Sequence, residues 1–460
     1  MLSPFWIQRE SLWIDEAGSA VKTLASTPAG VWQELLAEKN SNLHLPVYHY
    51  YLWACSKLFG HSEFVLRWCN VPWALLGFVF LVLGARRSGG GDPSQGTWLA
   101  LFLVTSPFLF YYTNEVRPYA MQFGLAAVAF TGMMNILAGS RNSFWSWSMA
   151  WGTTLLAWTT VYGLAWWLIN LCLWFWRPGR DAKEPQKTII SGFLLVGGTS
   201  AILFHAWVVN QGALASPVGQ TGWASLAYAV CEWTGAAGFL PGRTDLRSGS
   251  APALPGLILP SLTVILCLTL LFIGCAKTPK TASGALLPGA WMLPSFGIMV
   301  SGFLKNFRVL GRHFTPISAS FFWLLSLGPS QQPKWHWHRM AGWMLLALWL
   351  GSVVRFATHP QHRKDDYRAA TQYIANHREP GQGVWWAADA AGARFYSLGN
   401  AETMMSPSFS TLDSLPRPDW IALSKPDIYD GNGAIRDYLA KQPSKQVASF
   451  QSFVLYRVLK

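Results

Sequence analysis

ALPGLILPSLTVILCLTLLFIGC, residues 253–275, carries no charged side chain. A helix needs about 20 apolar residues to cross the ~30 Å hydrocarbon core of a bilayer, and this run exceeds that. Similar runs occur near 71–86, 97–112, 118–138, 188–209, 286–303, 313–329 and 338–356. The apolar stretch 144–176 is too long for one span and fits two short ones. The sum predicts about ten membrane-spanning helices.

Composition agrees. Of 460 residues, 51% are hydrophobic and only 12% are Asp, Glu, Lys or Arg. A soluble domain carries about twice that charged share. The 27 Trp and 27 Phe suit a chain with many membrane–water crossings. The net charge of +13 does not point to nucleic acid, because the basic residues fall mostly in short loops between apolar runs, where they encode topology. Six cysteines, Cys55, Cys69, Cys172, Cys231, Cys267 and Cys275, form no C-x-x-C pair. They imply neither a disulfide framework nor a zinc site.

Orientation follows from Lys and Arg. Arg86 and Arg87, Arg141, the group Arg177, Arg180, Lys183 and Lys187, then Lys277 and Lys280, then Lys334 and Arg339 alternate with less basic loops at 113–117, 210–252 and 304–312. The basic set is expected to be cytoplasmic. Residues 1–66 and the tail 357–460 then lie outside. Residues 1–66 contain neither a signal peptide nor a spanning run, so one further helix upstream is expected. The predicted architecture is mainly α: a polytopic helical bundle over 1–356, with an outer loop at 1–66, then a small extracytoplasmic α/β domain over 357–460. In that tail, 364–376 suits an amphipathic helix, 384–388 and 420–423 suit strands, and 447–456 suits a hairpin or bent strand. No internal repeat is evident, which argues against an inverted-repeat transporter.

Four constellations stand out. The first is Ser11-Leu12-Trp13-Ile14-Asp15-Glu16-Ala17. Adjacent side chains diverge on a strand or a helix, so Asp15 and Glu16 are expected to do different work: one a general base, the other a metal ligand or structural partner. The second runs from Asn42 through His44, Pro46 and Tyr48 to Gly60, Glu63 and Arg67, an aromatic and amphipathic stretch suited to the membrane surface. The third is Tyr111-Tyr112-Thr113-Asn114-Glu115-Val116-Arg117-Pro118-Tyr119. It holds two ionisable groups in a tight outer turn, with Pro118 suited to a helix start. The fourth is Lys305, Arg308, Arg312 and His313, outer cations against the inside-positive trend, which an outer phosphate would explain.

Taken in order, these elements resemble the GT-C superfamily of membrane glycosyltransferases, in its family 39-like branch of protein mannosyltransferases and aminoarabinose transferases. The likeness rests on W-x-D-E at Trp13–Glu16, H-x-P-x-Y at His44–Tyr48, G-x-S-E-x-x-x-R at Gly60–Arg67 and E-x-R-P-Y at Glu115–Tyr119. It covers the first 120 residues by motif and the rest by topology, with Arg312 near the family's basic motif before a late helix. The chain departs from the pattern in three places. The helix before the D-E loop is missing, Thr160-Val161-Tyr162 stands where many relatives have Thr-His-Tyr, and His313 stands where Tyr is common.

The resemblance implies a polyprenyl-phosphate sugar donor and an outer-face cavity between the first loop and the helices. A lipid phosphate leaves as a stable anion and needs nearby positive charge, so Arg117 and Arg312, supported by Lys305 and Arg308, are the expected phosphate-binding residues. The acceptor hydroxyl needs a base, with Asp15 the first choice and Glu16 the second. Direct displacement would invert the anomeric centre. Trp13, His44, Tyr48, Glu115, Tyr119 and His313 are expected to line the substrate cavity. No cofactor is demanded, although a divalent metal held by an acidic residue could share the phosphate charge. The acceptor is a glycan, lipid or protein, nucleic acid is not an expected partner, and the setting is an inner or plasma membrane. The rival readings are a transporter or lipid flippase, a polysaccharide polymerase or ligase, and a non-catalytic relative.

Overall fold

The computed structural model describes residues 7–88, 93–176, 184–212, 221–242, 254–278, 282–304, 308–330, 336–399, 402–403, 412 and 415–459. Of the basic residues singled out above, Arg177, Arg180, Lys183, Lys280, Lys305 and Lys334 lie outside the described residues. The chain forms two compact units. One comprises Met1–Ile7, Trp32–Tyr51 and Arg67–His362; the other comprises Gln8–Val31, Leu52–Leu66 and Arg363–Lys460. The tail therefore folds with two pieces of the N-terminal segment, not alone.

Every apolar run predicted to span becomes helical. Among the described residues, six helices are long and apolar enough to cross a membrane: Glu63–Arg87, Tyr119–Leu137, Pro185–Asn210, Pro255–Lys277, Leu286–Leu304 and His336–Thr358. The other runs are shorter or broken, and local chemistry explains where. The run 97–112 divides into Pro93–Thr105 and Pro107–Thr113. Pro107 has no N–H to continue the first helix, and Ser106 Oγ caps the second by accepting Leu109 N–H at 3.2 Å. The stretch 144–176 divides at the extended Thr160 into helices of 17 and 14 residues. Pro316 lies in a 3₁₀ turn, Gly311–Ile317, ahead of the ten-residue helix Ser318–Leu327. Apolar length and composition make this an integral membrane protein.

Tyr119–Leu137 is the axis of the helical unit, and all of its residues are buried. Small residues let its neighbours approach closely, as helix packing in lipid favours. A Cβ at Gly124 would sit 2.5 Å from the Trp73 carbonyl oxygen on Val71–Ser88. Some polar side chains in this interior are paired across helices. Asn170 Nδ2 donates to Thr153 Oγ1 at 2.8 Å, and Trp166 Nε1 donates to the Trp291 carbonyl at 3.1 Å. Both bonds cross between helices, where an unsatisfied group would be costly.

The second unit is a five-stranded mixed sheet, in the order β2-β1-β3-β5-β4. Its strands are β1 (Val384–Ala387), β2 (Glu402–Thr403), β3 (Trp420–Ser424), β4 (Ser444–Phe450) and β5 (Phe453–Val458). Strand β1 pairs parallel with β2 and β3, while β5 runs antiparallel to β3 and β4. Alternation gives both faces a core. Trp386, Trp420, Ala422 and Phe453 meet Tyr367 and Ile374 of the helix Tyr367–His377 on one side. Trp385, Ile421 and Leu423 meet Tyr429 and Ile435 on the other. These elements follow the expected helix, strands and hairpin closely.

Gly274 tests the helix packing. A Cβ there would lie 1.9 Å from the Leu324 carbonyl oxygen, which belongs to a rigid backbone. Gly274→Val is expected to cost about 1–3 kcal/mol through overpacking. The measurement is the midpoint of thermal unfolding in detergent. Gly192→Ala, where nothing lies within 4 Å, serves as the control that leaves the midpoint in place.

Candidate active site

The helical unit gathers the Asn42–Tyr48 part of the second constellation, the third, and the described part of the fourth by a series of hydrogen bonds and ring contacts, while Gly60 and Glu63 belong to the other unit. Glu115 and Arg117 lie in the connection between Pro107–Thr113 and Tyr119–Leu137. Both are buried. A buried guanidinium needs acceptors, and Arg117 Nη1 donates to Asn42 Oδ1 at 2.7 Å. Asn42 Nδ2 in turn donates to Glu38 Oε2 at 3.1 Å. The turn itself is held by Asn70, whose Nδ2 donates to the carbonyls of Thr113, at 3.2 Å, and Glu115. Tyr48 Oη donates to the other end of that amide, Asn70 Oδ1, at 3.4 Å. Residues of the H-x-P-x-Y and E-x-R-P-Y stretches are thus joined through one asparagine.

A second set of contacts leads to the 308–313 loop. The ring of Tyr119 meets Tyr112 edge-on with centroids 5.0 Å apart. Tyr112 Oη donates to Glu232 Oε1 at 3.3 Å, and Glu232 Oε2 accepts Gly311 N–H at 2.8 Å. Val309 N–H donates to Thr221 Oγ1 at 3.0 Å. His313 Nδ1 accepts Leu310 N–H at 3.1 Å, so that nitrogen carries a lone pair. Its ring packs 5.5 Å from Tyr162, in the short connection between Ser143–Thr159 and Gly163–Trp176. Burial pushes the Tyr162 phenol up to about 12, while the Arg312 guanidinium draws it down and Tyr119 adds to the rise. Arg312, His313, Tyr162 and Tyr119 therefore share one neighbourhood. Arg308 and Arg312 are half-buried.

His44 meets a partner that the sequence reading did not single out. Its Nδ1 lies 3.0 Å from Nδ1 of His205, on the helix Glu184–Asn210. His205 Nε2 lies 2.9 Å from the Ala157 carbonyl, which can only accept, so Nε2 carries a proton. With neutral His205, its Nδ1 accepts and His44 Nδ1 donates. An ionisable residue inside an apolar run is the signal that marks His205 in the sequence. Asn70 and Glu232 give weaker signals, because each is a single polar residue at the end of a helical run.

The first constellation belongs to the other unit. Trp13 precedes the helix Ile14–Ala20, and Asp15 and Glu16 stand in its first turn. Their environments differ, as expected for adjacent residues. Glu16 is wholly buried, with Oε1 3.1 Å from Lys364 Nζ and Oε2 accepting Trp13 N–H at 3.3 Å. Asp15 is half-buried. It lies close enough to Tyr429 to help burial raise that phenol. Lys425 Nζ sits 5.7 Å from the Trp13 ring centre. Among the described residues, no three His, Cys, Asp or Glu side chains converge as a metal would require.

Asn70→Ala is expected to lower stability by about 1–3 kcal/mol, because it leaves the Thr113 and Glu115 carbonyls without their donor. Thermal unfolding in detergent reads the change, and Tyr48→Phe is expected to cost less.

No protein-family model matches the sequence, and no curated protein matches it. Solved structures do match. The chain is similar to ArnT from Cupriavidus metallidurans bound to undecaprenyl phosphate, with TM-score 0.58 and 12% identity, over 98% of this chain and 94% of that one. Looser likenesses are arabinofuranosyltransferase AftD from Mycobacteria and the archaeal oligosaccharyltransferase AglB from Archaeoglobus fulgidus. The first has TM-score 0.47 and 12% identity over 88% of this chain and 34% of that one. The second has TM-score 0.46 and 10% identity over 86% of this chain and 61% of that one. An apolar helical bundle with a small α/β unit, matched along nearly the whole of both chains, shares the fold of the solved ArnT.

Proposed function

We propose that this protein is a membrane glycosyltransferase that moves a sugar from a polyprenyl-phosphate carrier to an acceptor hydroxyl at the outer face of an inner or plasma membrane. One observation carries the reading: side-chain contacts and short backbone steps lead from the buried Arg117 to the loop that carries the half-buried Arg312, within an apolar bundle. Buried cations are costly unless they serve an anion or a partner. A lipid phosphate suits that framework, since its hydrocarbon tail stays in the bilayer while its head meets the cations. The solved ArnT with which the chain shares its fold was bound to undecaprenyl phosphate.

In the proposed step the acceptor oxygen attacks the anomeric carbon, and its proton passes to Asp15. The bond from that carbon to the phosphate oxygen breaks, and polyprenyl phosphate departs with the electron pair. Single displacement inverts the anomeric centre. Arg117 and Arg312 stabilise the charge on the departing phosphate, with Lys305 and Arg308 in support. Asp15 suits the base better than Glu16, because a carboxylate already paired with Lys364 is a poorer proton acceptor. His44, Tyr48, Glu115, Tyr119, Trp13 and His313 are proposed to shape the space for sugar and acceptor.

The test uses the purified protein in lipid nanodiscs with labelled polyprenyl-phosphate sugars. Asp15→Asn is expected to lose about 10²–10⁴-fold in transfer while still binding polyprenyl phosphate. Arg312→Ala is expected to weaken binding of polyprenyl phosphate by about 10–100-fold, the loss of one charge-assisted contact. Full transfer by Asp15→Asn would remove the base assignment. A wild type that transfers sugar from none of these donors, yet moves the lipid between leaflets, would replace the enzyme reading by a flippase.

A further inference from the structure

Residues 9–13 form neither helix nor strand, and the helix that follows, Ile14–Ala20, has seven residues. A helix this short is not stable by itself. The order of the segment must come from what it touches, and within the second unit it is tied down along its length. Arg368 Nη2 donates to the Arg9 carbonyl at 3.2 Å, and Arg368 N–H donates to Ser11 Oγ at 3.0 Å. Tyr396 Oη accepts Leu12 N–H at 2.8 Å and donates to Glu63 Oε1 at 3.0 Å. Arg368 Nη1 meets the same Glu63 oxygen at 3.1 Å. Leu12 and Ala17 are wholly buried.

The ties continue at the acidic pair. Lys364 Nζ reaches Glu16 Oε1, with both side chains almost fully buried. Glu16 Oε2 then closes the helix start on Trp13 N–H. Lys425 adopts a left-handed backbone, φ 43°, and its ammonium pairs with Asp365 at 2.5 Å while facing the Trp13 ring. Burial holds the Tyr396 phenol well above its usual range, so it stays protonated and keeps both its donor and its acceptor roles. Asp15 alone of the acidic pair is left partly exposed.

We infer that the tail domain is the positioning device for the Asp15 loop: Lys364 acting through Glu16, and Tyr396 acting through Leu12, hold residues 9–16 so that Asp15 is presented in one fixed orientation. Glu16 and Lys364 are positioning residues and carry no proton in the reaction. The inference rests on the proposed role of Asp15 as base. A misplacement of about 1 Å in a catalytic group can cost 10²-fold in rate, so loosening the latch falls on kcat.

The experiment uses the full chain in nanodiscs and reads two quantities. One is transfer kinetics with a labelled polyprenyl-phosphate sugar. The other is hydrogen exchange of residues 9–17, which needs no activity. Lys364→Met is expected to lower kcat by about 10–100-fold with the donor KM unchanged, and to speed exchange of that segment. Lys364→Arg is expected to restore both. The exchanged pair Glu16→Lys with Lys364→Glu is expected to recover most of the loss of either single change. Tyr396→Phe, a milder variant that keeps the ring, is expected to speed exchange at Leu12 and lower kcat less.

Three results would overturn the inference. One is Lys364→Met and Tyr396→Phe both leaving exchange and kcat as in the wild type. Another is Lys364→Met speeding exchange without touching kcat. The third is Glu16→Gln losing as much as Asp15→Asn while exchange stays slow, which would move Glu16 into the chemistry. If the wild type transfers nothing, the glycosyltransferase reading falls, and the exchange arm still decides whether the latch holds.

Discussion

A guanidinium cannot be buried in an apolar bundle without acceptors, and the way Arg117 meets that constraint organises the polar end of the helical unit. Its contact with Asn42 draws in Glu38. The backbone around it is kept in a tight turn by Asn70, which also meets Tyr48. The next residues in the chain, through Tyr119 and Tyr112, lead to Glu232 and the loop carrying Arg312. Contacts in this series hold the Arg117 Nη1 group on Asn42 and the backbone ahead of Arg312 on Glu232. Preorganised charge of this kind stabilises an anion at low cost in reorganisation.

The helices were legible in the sequence because apolar length is a local property that a bilayer reads directly. That 144–176 must break was legible from its length, whereas 97–112 read as one span and is divided by Ser106-Pro107. The small α/β unit followed from alternation and turn residues, and the sheet bears it out. What the sequence could not show is pairing across long stretches of chain. His205 and Glu232 were not singled out in the sequence: the first is partnered by His44, 161 positions away, and the second accepts the Gly311 amide, 79 positions away.

The acidic pair Asp15-Glu16 shows both sides of this. Neighbouring side chains must diverge, so separate surroundings were predictable from geometry alone. Which of the two would be buried was not, because that depends on Lys364, far along the chain. Thr160-Val161-Tyr162 is similar. As a motif it is a departure from the related pattern, but its Tyr162 packs against His313 and feels the charge of Arg312.

The pairing of the first residues with the last has a consequence for how the protein is made. Ser11 and Tyr396 are 385 positions apart. At the usual ~5–20 residues per second of synthesis, roughly 20 to 80 s separate the appearance of one from the other. Throughout that interval the leading segment lacks its Lys364, Arg368 and Tyr396 contacts, while helix after helix enters the bilayer behind it. The second unit can close only after β5 has been made, later than every helix of the bundle, and a chain cut short before Lys364 lacks the groups that hold the Asp15 loop.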